Sequence, residues 1–444
     1  MAVDIDDAEE PTMLADRFGL SLSTTSAPAR DAYVAGADSV MAGVVGYREH
    51  LAEALRHDPA FALATIALAR GRFLDGEFAA GRELAAAARE QVAHHTARER
   101  SHVNVLALGI EAKPKDAMQA MHEHLATWPR DGMVLAPATS VFGLYGFSGD
   151  QAREENLYQY LTSLAPAYGP DWWFDAVLGF AACETARLDE AEDLLERALA
   201  ANPQHAHAAH FRAHVMYERD EQTSILEFLD GWMPMHDPRS LTHCHLSWHV
   251  ALAALALGKF DRAWDAYRSS VCPHGAWGPP INVVTDSVSL LWRLELAGAQ
   301  RDEDAWRELH AYALKCYPKA GLGYADTHAL IACVVAEDTA SLQDRLAEIQ
   351  TRLDAESYPP GSVVTRITEG FAAYAAQEWD GAIHALEAAW PLAVRIGGSR
   401  AQRDLVGLTL LAAYLKAGRP HAARVWLENQ QDPAVLRAPP PSCA

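Results

Sequence analysis

Four histidines form two matching pairs in the sequence. His210 and His214 lie four residues apart in the stretch HFRAHV. His245 and His249 lie four residues apart in the stretch HCHLSWHV. Residues four apart share one face of a helix, so each pair predicts two imidazoles side by side. Imidazoles arranged in this way can chelate a transition metal or transfer protons near neutral pH.

A constant step separates the two pairs. His245 follows His210 by 35 residues, and His249 follows His214 by the same 35 residues. A tetratricopeptide repeat is about 34 residues long, so one such step carries a side chain to the equivalent place on the next inner helix. The step therefore predicts a two-by-two patch of imidazoles on adjacent helices.

The elements that would position this patch are helical hairpins. Apolar residues recur at helical spacing almost throughout the chain, and strand-like alternation is absent. The clearest unit spans residues 175–203, with small residues where paired helices approach and Pro203 as the stop. Similar units occupy residues 101–129, 246–271, 369–393 and 405–433. We therefore expect an all-α protein, a superhelical solenoid of tetratricopeptide-like hairpins that encloses a concave polar pocket.

Domain boundaries follow from the same pattern. We expect a disordered or loosely packed segment over residues 1–28, a single solenoid over 29–433 and a flexible, proline-rich tail over 434–444. The sequence shows neither a signal peptide nor an apolar run of about 18 residues. The six scattered cysteines are typical of reduced thiols. These features predict a cytoplasmic protein.

The charge of the chain limits its partners. The 444 residues include 37 Lys and Arg against 59 Asp and Glu, which gives a formal net charge of -22. Such a chain is repelled by phosphate backbones and anionic membranes, so we expect neither as a partner. No nucleotide-binding motif is present, and we expect no nucleotide cofactor. A small-molecule ligand or a peptide remains as the expected partner.

Several stretches depart from the plain repeat pattern and resemble one family. They are HFRAHV (210–215), CHLSWHVAL (244–252), VTDSVSLLWRLELAG (284–298), YADTHALIA (324–332) and RIGGSRAQRDL (395–405). Together they resemble tetratricopeptide repeat protein 38 and its bacterial relatives. The resemblance implies a helical repeat fold, and it brings no assigned reaction or cofactor.

Further polar side chains lie on the later predicted inner helices. They are Asp286, Asp326, His328, Arg403 and Asp404. A buried polar group costs free energy unless it is paired, so this series predicts a polar pocket. We expect acid–base catalysis from His214, His249, Asp286 and His328. We expect substrate binding from His210, His245, Trp248, Asp326, Arg403 and Asp404.

A glycine pair marks the start of the last of these helices. Gly397 and Gly398 predict a left-handed helix ending, and Ser399 predicts an N-cap for the helix that follows. The N-terminus of that helix, next to Arg403, is a candidate anion site.

Four interpretations of the histidines remain open at this point. The rings can be structural, act as an acid–base site, hold a metal, or recognise a ligand without chemistry. In the metal interpretation, His210, His214, His245 and His249 would hold zinc or iron, although the glutamate of an HExxH motif is absent. We expect a small-molecule-binding protein, an enzyme that performs hydrolysis, elimination or cyclisation. The alternative is a non-catalytic scaffold that grips an extended peptide.

Overall fold

The computed structural model of the chain describes residues 14–429. These residues form 22 α-helices and no β-strand, which confirms the all-α prediction. None of the helices in this range combines the length and the apolar character needed to cross a membrane. The predicted tail at 434–444 and the first part of the predicted loose segment lie outside the described residues.

Contacts among the described residues define two compact units, where the sequence predicts a single array over 29–433. The first unit comprises residues 14–41 and 46–137. Its helices are α1 (Ala27–Ala42), α2 (Tyr47–His57), α3 (Ala62–Leu74), α4 (Phe78–Gln91), α5 (Ala97–Ile110), α6 (Pro114–Thr127) and α7 (Gly132–Leu135). Phe18 and Leu22 are buried, so the described part of the predicted loose segment is packed.

The second unit comprises residues 42–45 and 138–429 and carries all of the candidate site residues. Its helices are α8 (Arg153–Tyr168), α9 (Trp172–Glu184), α10 (Leu188–Ala201), α11 (Ala206–Glu218), α12 (Gln222–Trp232), α13 (His243–Ala256), α14 (Phe260–Ala266), α15 (Pro280–Leu296), α16 (Glu303–Cys316), α17 (Gly323–Val335), α18 (Thr339–Asp354), α19 (Val363–Ala375), α20 (Trp379–Ala389), α21 (Arg400–Lys416) and α22 (Pro420–Asn429). Each odd-numbered helix from α9 to α19 contacts the next odd-numbered helix. Hairpins of a tetratricopeptide array stack in this way, with the first helix of each pair beside the first helix of the next.

The hairpin of α9 and α10 shows why small residues recur in this fold. A Cβ added at Gly179 would lie 3.0 Å from the Cγ of Leu195, so the two helices approach too closely for a larger residue. At the turn, Ala186 adopts the left-handed conformation with φ 60°. The Arg187 amide then donates to the carbonyl oxygen of Ala182 at 2.8 Å, which closes the helix ending.

Helix α21 lies inside the second unit. Every residue from Ala401 to Tyr414 is buried, and the helix contacts α11 and α15 as well as its neighbours α19 and α20. Residues 405–413 are apolar apart from Thr409, as expected of a helix segment that is covered on all sides. The predicted cap is confirmed: the Gln402 amide donates to the Ser399 hydroxyl at 3.3 Å, and the Ser399 amide donates to the Gln402 side chain at 2.9 Å.

Gly398 combines a left-handed backbone with a close contact, and this predicts a large cost for a side chain there. Its φ is 77°, and an added Cβ would lie 2.6 Å from the Cε2 of Tyr324. Gly418 is a matched control, because its φ is 70° and an added Cβ would meet nothing within 4 Å. We expect Gly418→Ala to lower the free energy of unfolding by about 1 kcal/mol. We expect Gly398→Ala to cost about 1–3 kcal/mol more, because overpacking adds to the strain. Urea denaturation followed by circular dichroism measures both, and equal losses would contradict the packing argument.

Candidate metal centre

Adjacent helices α11 and α13 bring four imidazoles together. The group consists of His210, His214, His245 and His249 and is called the histidine cluster below. One ring nitrogen from each residue lies within 4.8 Å of the corresponding nitrogen of every other. The ring centroids of His214 and His249 are 4.5 Å apart, and those of His210 and His245 are 4.6 Å apart. The 35-residue step in the sequence is therefore the register between two neighbouring helices.

The spacing of the nitrogens suits one metal ion. The Nε2 atoms of His210 and His214 are 2.8 Å apart and share a hydrogen bond, which a metal ion would replace. Two imidazole nitrogens that share a metal at the usual bond length are at most about 4 Å apart. The separations in the cluster run from 2.8 Å to 4.8 Å, so small movements of the rings, apart for the nearest pair and inward for the widest, would complete the coordination.

Burial keeps most of the cluster uncharged. His214 and His249 are almost fully buried, and His210 is half-buried. Burial first, and then the neighbouring imidazoles, hold the pKa of His210, His214 and His249 well below the ordinary value of histidine. These rings are therefore neutral at neutral pH. A neutral imidazole offers a free lone pair and is the form that binds metals.

Two buried carboxylates face Nδ1 atoms of the cluster, one at His245 and one at His214. Asp286, on α15, accepts a hydrogen bond from the Nδ1 of His245 at 2.7 Å. Glu184, the last residue of α9, has its Oε1 4.0 Å from the Nδ1 of His214. In metal sites, carboxylates in such positions orient the ligand imidazoles and raise their basicity. Asp286 is the one predicted acid that the structure places against the cluster.

His249 has an unusual environment for a buried polar ring. Its side chain is only 1% exposed, yet neither of its ring nitrogens has a hydrogen-bond partner among the described residues. The Nδ1 of His214 and the Oδ1 of Asp286 also lack hydrogen-bond partners in this part of the chain. Leaving a buried polar atom unsatisfied costs about 1–3 kcal/mol. The residues present thus fit a metal ion, which would satisfy the ring nitrogens that point into the cluster.

Glu184 was missed by the sequence argument. Its Oε2 accepts a hydrogen bond at 2.9 Å from the amide of Arg400, the first residue of α21. The helix N-terminus predicted to hold an anion therefore holds a carboxylate of the chain itself. Burial raises the pKa of Glu184 to about 7; Glu154 adds to the rise and nearby arginines oppose it. An acid at the end of the apolar stretch VLGFAACE is the signal that could have revealed it.

Trp248 and Arg293 form one wall of the cluster. The indole of Trp248 is fully buried and stacks on His245, with 5.0 Å between ring centroids and an interplanar angle of 12°. The guanidinium carbon of Arg293 lies 5.8 Å from the ring centroid of Trp248. Arg293 also donates to the carbonyl oxygen of Ala401 at 2.7 Å, which joins α15 to α21. Arg293 was not among the predicted residues, although its helix was.

Two predicted site residues on α17 make their contacts within the scaffold. Asp326 accepts from the Nη1 of Arg345 at 2.7 Å and from the Tyr358 hydroxyl at 2.8 Å. The amide of Gly321 also donates to it at 2.9 Å. A buried charge needs a partner, and this one has three that are unrelated to the histidine cluster. His328 contacts the Tyr324 carbonyl oxygen through Nδ1 at 2.8 Å. Within residues 14–429, these hydrogen bonds of Asp326 and His328 go to the scaffold and not to the cluster, whereas the sequence predicts a single polar pocket.

Arg403 and Asp404 are also paired inside the fold. Arg403 donates to the Oε1 of Glu154 at 2.7 Å and to the carbonyl oxygen of Gly398. Asp404 accepts from the Tyr217 hydroxyl at 2.9 Å, and burial raises its pKa. The predicted clamp for a substrate anion is thus occupied by Glu154, because a buried guanidinium takes the nearest carboxylate.

Another pair of buried histidines, in the first unit, shows what a structural arrangement looks like. His102 and His124 both contact Asp131, at 2.9 Å and 3.1 Å, and Arg98 donates to the same oxygen at 2.9 Å. The other ring nitrogen of His124 contacts the Ser101 hydroxyl at 2.9 Å. These rings are bonded to a carboxylate at the centre of the group. The rings of the histidine cluster face one another instead, with no anion between them.

The fold and the histidine cluster define a helical-repeat protein with a candidate metal centre. No family model matches the chain, and the resemblance to tetratricopeptide repeat protein 38 stays a prediction. A solved structure of Naa15/Naa10 bound to HypK-THB is similar to the chain at 13% identity and a TM-score of 0.25. The match covers 91% of this chain and 69% of that chain. A likeness at that score has no bearing on function.

His328 predicts a measurable loss of stability in acid. Burial lowers its pKa to about 4, whereas a histidine in an unfolded chain titrates near 6.5. Between these pH values the histidine of the unfolded chain binds a proton, whereas the buried ring of the folded chain stays neutral. The free energy of unfolding therefore falls as the pH falls. For metal-free protein, the shift corresponds to about 2 kcal/mol lost at pH 5. His328→Gln should remove that part of the loss in urea denaturation between pH 7.5 and 5. Exposed His94→Gln should not, and identical pH dependence in both variants would refute the assignment.

Proposed function

We propose that this chain binds one divalent transition-metal ion through the histidine cluster and acts as a metal-dependent enzyme on a small polar molecule. The observation that carries the proposal is the absence of hydrogen-bond partners for the buried ring of His249 among the described residues. Its ring is buried among three other imidazoles, and neither nitrogen has a hydrogen-bond partner in the described part of the chain. Bonds among the described residues do not offset that cost, and a metal ion bound by the ring would.

The donor set narrows the choice of metal. Four neutral imidazoles suit zinc, iron, copper or nickel and are a poor site for magnesium or calcium, which prefer oxygen. The carboxylates of Asp286 and Glu184 place negative charge behind the ligands, where it offsets the charge of the cation. A bound ion that kept one coordination position beyond the four imidazoles would supply Lewis-acid chemistry there, such as polarising a substrate carbonyl or making a water molecule more acidic.

Glu184 is placed to orient His214. Its Oε1 lies 4.0 Å from the Nδ1 of His214 and has no hydrogen-bond partner in the described part of the chain. With the metal on Nε2, the Nδ1–H of His214 would point to this oxygen, as in the carboxylate–histidine pairs of metal sites. The peptide-binding scaffold predicted as the alternative stays a prediction, since no specific observation favours it.

The metal proposal predicts one ion per chain. Untagged protein, incubated separately with Zn²⁺, Co²⁺, Fe²⁺, Ni²⁺ or Cu²⁺ and desalted, should retain about one equivalent of at least one metal by elemental analysis. His214→Ala and His249→Ala should each abolish that retention, because each removes a ligand from a buried site. His243→Ala is the matched control, since His243 lies on α13 but outside the cluster. Failure to retain any of the five ions, or full retention by His249→Ala, would exclude the proposed centre.

Asp286→Asn tests the carboxylate behind the ligands. The change keeps the shape of the side chain and removes its charge, so His245 would be a weaker and less well oriented ligand. We expect the metal Kd to rise by about 10–100-fold in a chelator competition experiment. Asp265→Asn, on α14, is the control and should leave the Kd unchanged. An unchanged Kd in Asp286→Asn would show that Asp286 has no part in metal binding.

A further inference from the structure

Three rings of the histidine cluster are held firmly in place. Asp286 accepts a hydrogen bond from His245 at 2.7 Å. The Oε1 of Glu184 faces the Nδ1 of His214 at 4.0 Å. His249 is only 1% exposed, and its ring centroid lies 4.5 Å to 5.1 Å from those of the other three histidines. Each of these rings is therefore fixed by a carboxylate or by enclosure among other rings.

His210 is held differently from the other members of the cluster. Its side chain is half-buried, whereas those of the other three are buried. Its Nε2 shares a hydrogen bond with the Nε2 of His214 at 2.8 Å, and within residues 14–429 no carboxylate is paired with it. Carboxylates of this kind hold ligand imidazoles in position. His210 is therefore the ring that moves out of the cluster most easily, and it borders solvent.

A closed set of four ligands limits what a metal ion can do. A structural zinc site has four protein ligands, whereas a catalytic site has three and keeps one position for water or substrate. If all four imidazoles bind a tetrahedral ion, a substrate needs either a further position or the place of one ring. A ring that leaves also vacates the space that it filled, so the entering molecule needs no separate cavity.

Aromatic side chains border the space that the His210 ring fills. The ring centroids of Phe180 and Phe211 lie 6.1 Å and 5.2 Å from that of His210. The two phenyl rings stack on each other, with 4.1 Å between centroids and an interplanar angle of 8°. Neither ring offers a charge partner to an anion, and the net charge of -22 repels one. This boundary suits a neutral, planar molecule.

We propose that three imidazoles of the cluster hold the metal ion and that His210 is an exchangeable fourth ligand, whose place a neutral, planar substrate takes. A lone pair of one substrate nitrogen or oxygen replaces the lone pair of the His210 ring. The bond from His210 breaks as the new bond forms, so no oxidant or reductant is needed. The inference rests on the proposed metal-dependent function and gives that site a substrate class and a point of entry.

Metal retention shows which ring can be spared. The ion that wild-type protein retains is added to each variant, which is then desalted and subjected to elemental analysis. His210→Ala should keep about one equivalent, because three buried ligands remain, whereas His249→Ala should keep none. His207→Ala is the control and should match wild type, since His207 is also half-buried on α11 but lies outside the cluster.

Imidazole and azide test what enters in place of the ring. Both bind metal ions through a nitrogen lone pair, but azide is an anion, whereas imidazole is planar and mostly neutral at about pH 8. Calorimetry measures their binding to metal-loaded protein, and metal content is measured on the same samples. Imidazole should bind loaded His210→Ala at least about tenfold more tightly than loaded wild type, where it competes with a tethered ring. That gain should be absent in metal-free protein, and azide should bind loaded His210→Ala at least about tenfold more weakly than imidazole.

The outcomes separate this inference from the metal centre itself. If wild-type protein retains no ion, the metal centre is wrong and the exchangeable ligand with it. If wild type retains an ion and folded His210→Ala retains none, the metal centre stands and the exchange is wrong. Equal imidazole affinity in the two loaded proteins also overturns the exchange, and tighter binding of azide than of imidazole overturns the substrate class.

Wild-type protein decides the case in which His210→Ala does not fold. Imidazole binding to loaded wild type with no loss of the ion supports the exchange. Loaded wild type that binds no imidazole, at concentrations at which it keeps its ion, overturns the exchange.

Discussion

A buried polar atom needs a partner, and the second unit is arranged around this constraint. Four imidazoles lie together in its interior, and His214, His245 and His249 are buried. Asp286 satisfies one ring, and Glu184 faces another. His249 is left with two unsatisfied nitrogens in the described part of the chain, and a metal ion is the partner that would satisfy several rings at once.

Glu184 connects the histidine cluster to helix α21. One of its oxygens accepts from the N-terminus of α21, and the other faces His214. Helix α21 is itself enclosed by α11, α15 and its sequence neighbours, so the position of the carboxylate depends on helices far apart in the chain. The glycine pair before α21 sets where that helix begins. The GGSR stretch, residues 397–400, therefore helps to position Glu184, and Glu184 in turn faces the histidine cluster.

Much of the local structure was predictable from the sequence. Helical spacing and proline stops located the hairpins, and the Ser399 cap followed from the residues around it. The charged partners were harder to predict. The repeat step relates only adjacent helices, so it placed His210 beside His245 correctly. It could not show that Arg403 would meet Glu154, which is about 250 residues away.

The sequence by itself determined the helical class, the hairpin units and the pairing of two histidine helices, because these depend on periodicity and on one-repeat offsets. Only the tertiary structure decided which polar residues share a site. It placed Asp286 and Glu184 behind the histidines and paired Asp326 with Arg345 elsewhere. The reason is that partners of buried charges are chosen by proximity in the folded interior, and helix α21 reaches that interior through contacts that no repeat spacing encodes.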